Sequence, residues 1–163
     1  MQLLLFRHGI AEDHGPDGRD DSRRLTDKGV AKTTAAAAGL ARIATAPEVI
    51  FTSPKVRARQ TAAIVAARFD LDPQVADILG DNDAVAICHW LADLPHNRVL
   101  FVGHEPSFSQ IVERLCTASG AAKASGGFVD MKKAGCACLD VDITSRTAVL
   151  QWLAPPKLLT KMG

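Results

Sequence analysis

Three short stretches of this 163-residue chain carry side chains suited to phosphate chemistry: Arg7-His8-Gly9, Ser53-Pro54 with Arg57 close behind, and Gly103-His104-Glu105. A guanidinium presents a rigid fork of donors that matches phosphoryl oxygens. A neutral imidazole is a competent nucleophile, and neighbouring cations disfavour its protonated form. Two arginines and two histidines in one cleft would let His8 attack phosphorus in line and form a phosphohistidine. Arg7, Arg57 and His104 would then hold the equatorial oxygens, whose charge needs stabilising in the transition state. Singly, each residue has a plainer reading. A histidine after a strand is commonly a hydrogen-bonded structural residue, and an arginine on a helix is commonly a solvated cation. Chemistry follows only if the fold brings the three stretches together.

The hydropathy pattern predicts that it does. Gln2 to Phe6 is a short apolar run ending at Arg7-His8-Gly9, Glu48 to Thr52 is a second, and Arg98 to Val102 a third, closed by Gly103-His104. Each reads as a buried strand. Residues 10–24 are polar and bear Gly and Pro, as an exposed loop would. Thr26 is placed to cap a helix running to about Ile43, rich in alanine and able to pack closely on a sheet. Ser53-Pro54 reads as an N-cap followed by proline at the first helical position, so that Arg57 falls in a first helical turn and the helix end offers free N–H groups to an anion. After an extended piece at 74–78, a helix from about Asp83 buries Ala84, Ile87, Cys88, Leu91 and Leu94. The next has the clearest period: Phe108, Ile111, Val112, Leu115 and Cys116. A Gly/Ser/Ala-rich loop covers 118–127, and 136–143 and 148–153 read as an antiparallel strand pair at a sheet edge. Strands alternating with helices imply an α/β fold: a three-layer α/β/α sandwich, mostly parallel with an antiparallel C-terminal edge, in one domain over 1–163. In such sheets ligands bind beyond the carboxyl ends of the strands. That is where Arg7, His8, Arg57 and His104 would converge.

Composition narrows the classes. Apolar residues make up 47% and charged residues 23%, with a formal net charge of +1, so no global field draws nucleic acid or an anionic membrane. No apolar run approaches the ~20 residues that span a bilayer, and Met1 to Phe6 lacks the basic start and cleavage site of a leader. A cytoplasmic protein is expected. Cys88, Cys116, Cys136 and Cys138 show neither CxxC nor zinc-finger spacing and read as buried free thiols. His14, His89 and His96 lack the context of His8 and His104. No metal and no cofactor are expected, since the arginines already supply positive charge.

At the residues quoted the chain resembles the histidine phosphatase superfamily, also called phosphoglycerate mutase-like. Within it, the sequence is most similar to small bacterial phosphohistidine phosphatases of the SixA type. Arg7-His8-Gly9 matches the RHG motif, with His8 in the phosphorylated position. Residues 53–61 (SPKVRARQT) match SPxxRAxQT, with Arg57 as second phosphate arginine. Residues 102–106 (VGHEP) match the block bearing the second histidine, and Leu25-Thr26 with Gly29, and Gln151-Trp152 followed by Pro155, also resemble SixA-type chains. The resemblance implies a phosphoglycerate mutase-like fold and a metal-independent phosphatase. Its implied substrate is a phosphohistidine-bearing domain of a signalling or phosphotransfer protein.

The acid that would protonate a leaving group stays open. Phosphoester-cleaving relatives carry an acidic residue before the third helix, where Asp77, Asp81 and Asp83 all fall; Asp83 also suits a helix N-cap. Glu105 and Glu12 border the predicted site. A small-molecule phosphomonoesterase is the alternative enzyme, and a non-catalytic phosphate-binding module the alternative of another class. The pattern leaves the oligomeric state undecided.

Overall fold

The computed structural model describes residues 1–117 and 129–163, so the predicted 118–127 loop lies outside the described residues. One six-stranded sheet organises the rest, with β1 (Gln2–Arg7), β2 (Val49–Thr52), β3 (Gln74–Val75), β4 (Arg98–Gly103), β5 (Cys136–Asp142) and β6 (Thr147–Ala154) in the order β3-β2-β4-β1-β5-β6. The pairs β1–β4, β2–β4 and β2–β3 are parallel; β1–β5 and β5–β6 are antiparallel.

The apolar runs are explained by cover on both faces. Along β1, Leu3 and Leu5 join Phe101, Ile111 and Leu91 in one core, while Leu4 and Phe6 join Leu40, Ala62 and Val65 in the other. Helices α3 (Ala84–Ala92) and α4 (Ser107–Cys116) cover the first face; α1 (Asp27–Ile43), α2 (Val56–Ala66) and α5 (Pro156–Met162) cover the second. Alternate side chains of each strand point to opposite layers, which makes the central strands apolar throughout. The three-layer α/β/α sandwich with an antiparallel C-terminal edge is therefore the observed architecture.

Caps behave locally as read. Thr26 Oγ1 accepts from Gly29 N at 3.0 Å, and Asp83 Oδ1 accepts from Val85 N and Ala86 N at 2.9 and 3.0 Å. Two expectations are corrected and one helix is added. Helix α2 begins at Val56, with Lys55 as N-cap and no side-chain cap bond, so Pro54 is not its first residue. The reason is tertiary: the Ser53 hydroxyl is bonded to His104, and Asp21 O takes the Val56 N–H at 2.9 Å. The extended piece at 74–78 is only two residues of strand, because the chain then turns through a short 3₁₀ segment, Asp77–Leu79, that drives Leu79 into the core. Helix α5 was not expected. It opens on Pro156 and buries Leu159 against α1, where a Cβ on Gly39 would fall 1.9 Å from the Leu159 carbonyl oxygen.

Candidate active site

Parallel pairing fixes the row of groups at the carboxyl edge. In the sheet order β2-β4-β1, Thr52 lies opposite Val102 and Arg7 opposite Gly103. The residues that leave these strands, Ser53, His104 and His8, are therefore neighbours. The ladder continues one step beyond them: Ser53 N donates to Val102 O and His8 N to Gly103 O, both at 3.0 Å. The His8 and His104 rings stand 5.0 Å apart between centroids, and both are buried. Arg57, on the first turn of α2, is also buried. Arg7 reaches across to the Met131 carbonyl, to which its Nη1 donates.

His8 Nδ1 lies 2.7 Å from the Gly9 carbonyl oxygen. A carbonyl only accepts, so Nδ1 carries the ring proton and Nε2 keeps its lone pair. Gly9 is itself pinned. Its N–H donates to Thr61 Oγ1 at 3.0 Å, and the Thr61 hydroxyl donates to Arg57 O at 2.8 Å. A Cβ on Gly9 would meet Thr33 Oγ1 at 2.3 Å, so this position has no room for a side chain. Gly29 has a similar reason, because a Cβ there would stand 2.0 Å from Ile10 O. Gln60 Oε1 accepts from Leu25 N at 2.7 Å and ties the start of α1 to α2.

His104 Nε2 lies 2.8 Å from Ser53 Oγ, and Ser53 Oγ accepts from Lys55 N at 3.3 Å. In the tautomer where the serine donates its proton to Nε2, Nδ1–H is the outward donor of His104. Three buried nitrogens, Arg7 Nε, Arg57 Nε and His104 Nδ1, have no hydrogen-bond partner among the described residues. Buried donors of this kind suit a ligand rich in acceptors, and a phosphoryl group is one.

Electrostatics favour a neutral histidine pair. Burial is the main cause that lowers His8 to a pKa of about 4; Arg57, Arg7 and Lys133 push the same way, and the Gly9 bond opposes them. Burial first, then His8, Arg57 and Lys55, lowers His104 to about 3, with Asp20 opposing. Both rings are thus free bases at neutral pH, as a nucleophile requires.

The structure brings Arg7, His8, Ser53, Arg57 and His104 together. It places Ser53 behind His104, fully buried, rather than at an open helix end facing an anion. Two of the helix-end donors expected for phosphate are also spent, Val56 N on Asp21 O and Lys55 N on Ser53 Oγ. Among the acids, Asp83 caps α3. Asp81 and Asp83 line a groove of about 410 Å³ with Gln110 and Arg114, which shares no residue with the His8 cluster. Asp77 is exposed in the turn that packs on Pro54. Glu12 is exposed, and its carbonyl accepts from Arg23 Nε. Glu105 differs from these: it is half-buried, its Oε1 has no partner among the described residues, and burial raises its pKa against the pull of Ser109 and Arg7. His14, His89 and His96 stand outside the cluster, His96 Nδ1 being 3.9 Å from Glu48.

Sequence reasoning missed Asp20, Lys55 and Lys133. Asp20 holds Arg57 from the polar loop; Lys55 and Lys133 add positive charge beside the histidines. Polar loop residues carry no periodicity that would predict where they fold back, though Lys55 stood inside the SPKVR run. Among the described residues no three His, Cys, Asp or Glu side chains gather as a metal site, and no helix is long and apolar enough to cross a membrane.

Comparison with known proteins agrees with this geometry. The family model of the histidine phosphatase superfamily, branch 1, matches residues 3–85, just over half of the chain. An uncharacterised protein of Picosynechococcus sp. is 36% identical over 140 residues, covering 83% of this chain and 82% of that protein. Among solved structures, the protein histidine phosphatase SixA complexed with tungstate superposes with a TM-score of 0.82 at 23% identity, covering 96% of this chain and 98% of that one. A SixA protein from Agrobacterium tumefaciens, assigned as a phosphohistidine phosphatase, gives 0.78 at 25% identity over 95% and 97%. The phosphoserine phosphatase of Entamoeba histolytica, in complex with 3-phosphoglyceric acid, gives 0.69 at 15% over 97% and 98%. With the RHG histidine, the second-helix arginine and the second histidine on one sheet edge, this chain belongs to the histidine phosphatase superfamily, branch 1.

Proposed function

We propose that the chain is a phosphohistidine phosphatase acting on a histidine of a signalling or phosphotransfer protein. The observation that carries this is the His8 ring: Nδ1 bound to Gly9 O, Nε2 without a hydrogen-bond partner among the described residues, and Arg7, Arg57 and His104 gathered around it. His8 Nε2 attacks phosphorus as the P–N bond to the substrate imidazole breaks. The leaving ring takes up a proton from solvent and departs neutral. Water then attacks the phosphoryl group on His8, the P–Nε2 bond breaks, and orthophosphate leaves with His8 restored. Arg7, Arg57 and the His104 Nδ1–H stabilise the equatorial oxygens in both steps. Ser53 acts through His104 as a positioning residue. No step calls for a metal or cofactor.

The likeness to SixA proteins over nearly the whole chain supports a protein-borne phosphohistidine. So does the polar loop beside His8, since small-ligand pockets are usually lined with apolar groups. A second reading, a small-molecule phosphomonoesterase, draws on Glu105. A half-buried carboxyl with a raised pKa suits protonation of an ester oxygen, which needs an acid more than imidazole does. A non-catalytic phosphate-binding module fits less well, because all four proposed reacting groups are present.

The deciding experiment is single-turnover kinetics on a phosphorylated histidine-bearing domain beside a panel of sugar phosphates and nucleotides. A much larger kcat/KM for the phosphoprotein supports the first reading. Efficient turnover of a metabolite at micromolar concentration supports the second.

A further inference from the structure

The phosphate arginine is already engaged by an anion of the protein itself. Arg57 Nη2 donates to Asp20 Oδ2 at 2.9 Å, and Arg57 Nη1 donates to the Asp20 carbonyl at 2.7 Å. Lys55 Nζ reaches the same Oδ2 at 3.3 Å, and Arg23 Nη1 reaches Oδ1 at 2.8 Å. Three cations therefore share one carboxylate, which they hold well below the usual carboxylate range, with the Arg23 bond as the largest cause. The Asp20 side chain is about half exposed (52%), whereas that of Arg57 is 7% exposed. The solvent-accessible partner is thus the carboxylate, on a loop without regular structure, and the buried partner is the guanidinium on α2.

We infer that Asp20 is an internal competitor for the phosphoryl group: its carboxylate holds the Arg57 fork that substrate must engage, so phosphate binding exchanges one anion for another. The inference rests on reading Arg57 as a phosphate donor. Its consequence is selection by charge. A singly charged anion gains little by replacing a carboxylate, while a phosphoryl dianion brings more charge and more acceptor oxygens to the same donors. The dianion also meets repulsion from Asp20 until the loop carrying it withdraws. Asp20 thereby lowers affinity for every phosphate but lowers it least for groups able to displace it.

A merely structural Asp20 would have the opposite sign. If it served only to hold Arg57 in place, neutralising it would loosen the guanidinium and weaken phosphate binding. The test measures inorganic phosphate binding by calorimetry to the full chain carrying Asp20→Asn, with Asp21→Asn as control. Asp21 pairs with Lys55 at 3.6 Å, but its carboxylate makes no hydrogen bond to Arg57 among the described residues. Asparagine at this position keeps the shape, the backbone carbonyl and a side-chain acceptor, so the fold has little reason to fail; circular dichroism checks this, and Asp20→Ser replaces it if needed. Binding tightened on the order of tenfold in the Asp20 variant, and by less than about twofold in the Asp21 control, is expected. Weaker or unchanged binding in the Asp20 variant overturns the inference, as does an equal gain in the control. Phosphate binding is read without turnover, so a chain that binds phosphate in this way yet hydrolyses nothing would count against the phosphatase reading and not against this one.

Discussion

Lowering the pH from 7 to 5 should destabilise this protein through His8 and His104, by an amount set by their burial. In the unfolded chain both histidines titrate at their ordinary value of 6.5; in the folded protein they are lowered to about 4 and about 3. Above 6.5 both states hold neutral rings, and the histidines contribute no pH dependence. As pH falls below 6.5 the unfolded chain binds two protons that the native state refuses, so stability is lost until the folded pKa values are reached. Linkage over pH 7 to 5 gives about 2 kcal/mol for each ring, or about 4 kcal/mol together. The assay is urea unfolding followed by tryptophan fluorescence, since Trp90 stacks at 5.2 Å on Phe101 in the core. Each protein is compared with itself at the two pH values, so the cost of any cavity cancels. His8→Ala and His104→Ala should each lose about 2 kcal/mol less than wild type over the interval. Other groups that titrate in this range are common to all three proteins. Equal losses in all three would show that these rings are not buried as free bases, and the proposed nucleophile would lose its electrostatic basis.

His8→Ala should abolish turnover and phosphate incorporation while the protein remains folded at pH 7; residual wild-type activity would end the proposal. Arg57→Lys keeps the charge but loses the planar fork, and kcat/KM should drop on the order of a hundredfold or more; a near-neutral result would remove Arg57 from the phosphate. Vanadate should inhibit and chelators should not, and activity lost to chelation and restored by a divalent ion would contradict the metal-free mechanism. The acid limb of kcat/KM, read as titration of the free nucleophile, should fall near pH 4 rather than 6.5, because burial and the neighbouring cations keep His8 neutral between these values.

Much of the site was legible because its members sit where strands stop. The runs ending at Arg7-His8 and Gly103-His104 are apolar after their first residues, Gln2 and Arg98, and parallel pairing of β1 with β4 brings their ends together without further information. Thr26 and Asp83 were legible as caps because capping is local, a side chain bonding an N–H two or three residues on. Ser53 looked the same and behaved differently, since its hydroxyl had a partner on a neighbouring strand that no local pattern reveals. Asp20 was illegible for the same reason. It lies among several acidic residues of an aperiodic loop, and only the folded path brings it, rather than Asp13 or Asp17, to Arg57. Helix α5 escaped because seven residues are too few to establish a period, although Pro156 at its start was a signal that could have been used.

The motif residues outside the proposed reacting set explain how that set is held in place. The His8 ring is oriented by the carbonyl of Gly9, the amide of Gly9 is held by Thr61, and the Thr61 hydroxyl is bonded to the carbonyl of Arg57. One continuous line of hydrogen bonds thus joins the proposed nucleophile to the backbone of the proposed phosphate arginine, although the two are far apart in sequence. Were they positioned independently, each would carry its own error, and misplacement of about 1 Å can cost on the order of a hundredfold in rate. Gly9 makes the line possible, because any side chain there would strike Thr33. The third residue of RHG and the last of SPKVRARQT are therefore two ends of one bond. Their presence together reflects a shared geometry, and the pair marks a site in which the His8 ring and the backbone of Arg57 are set by the same contacts.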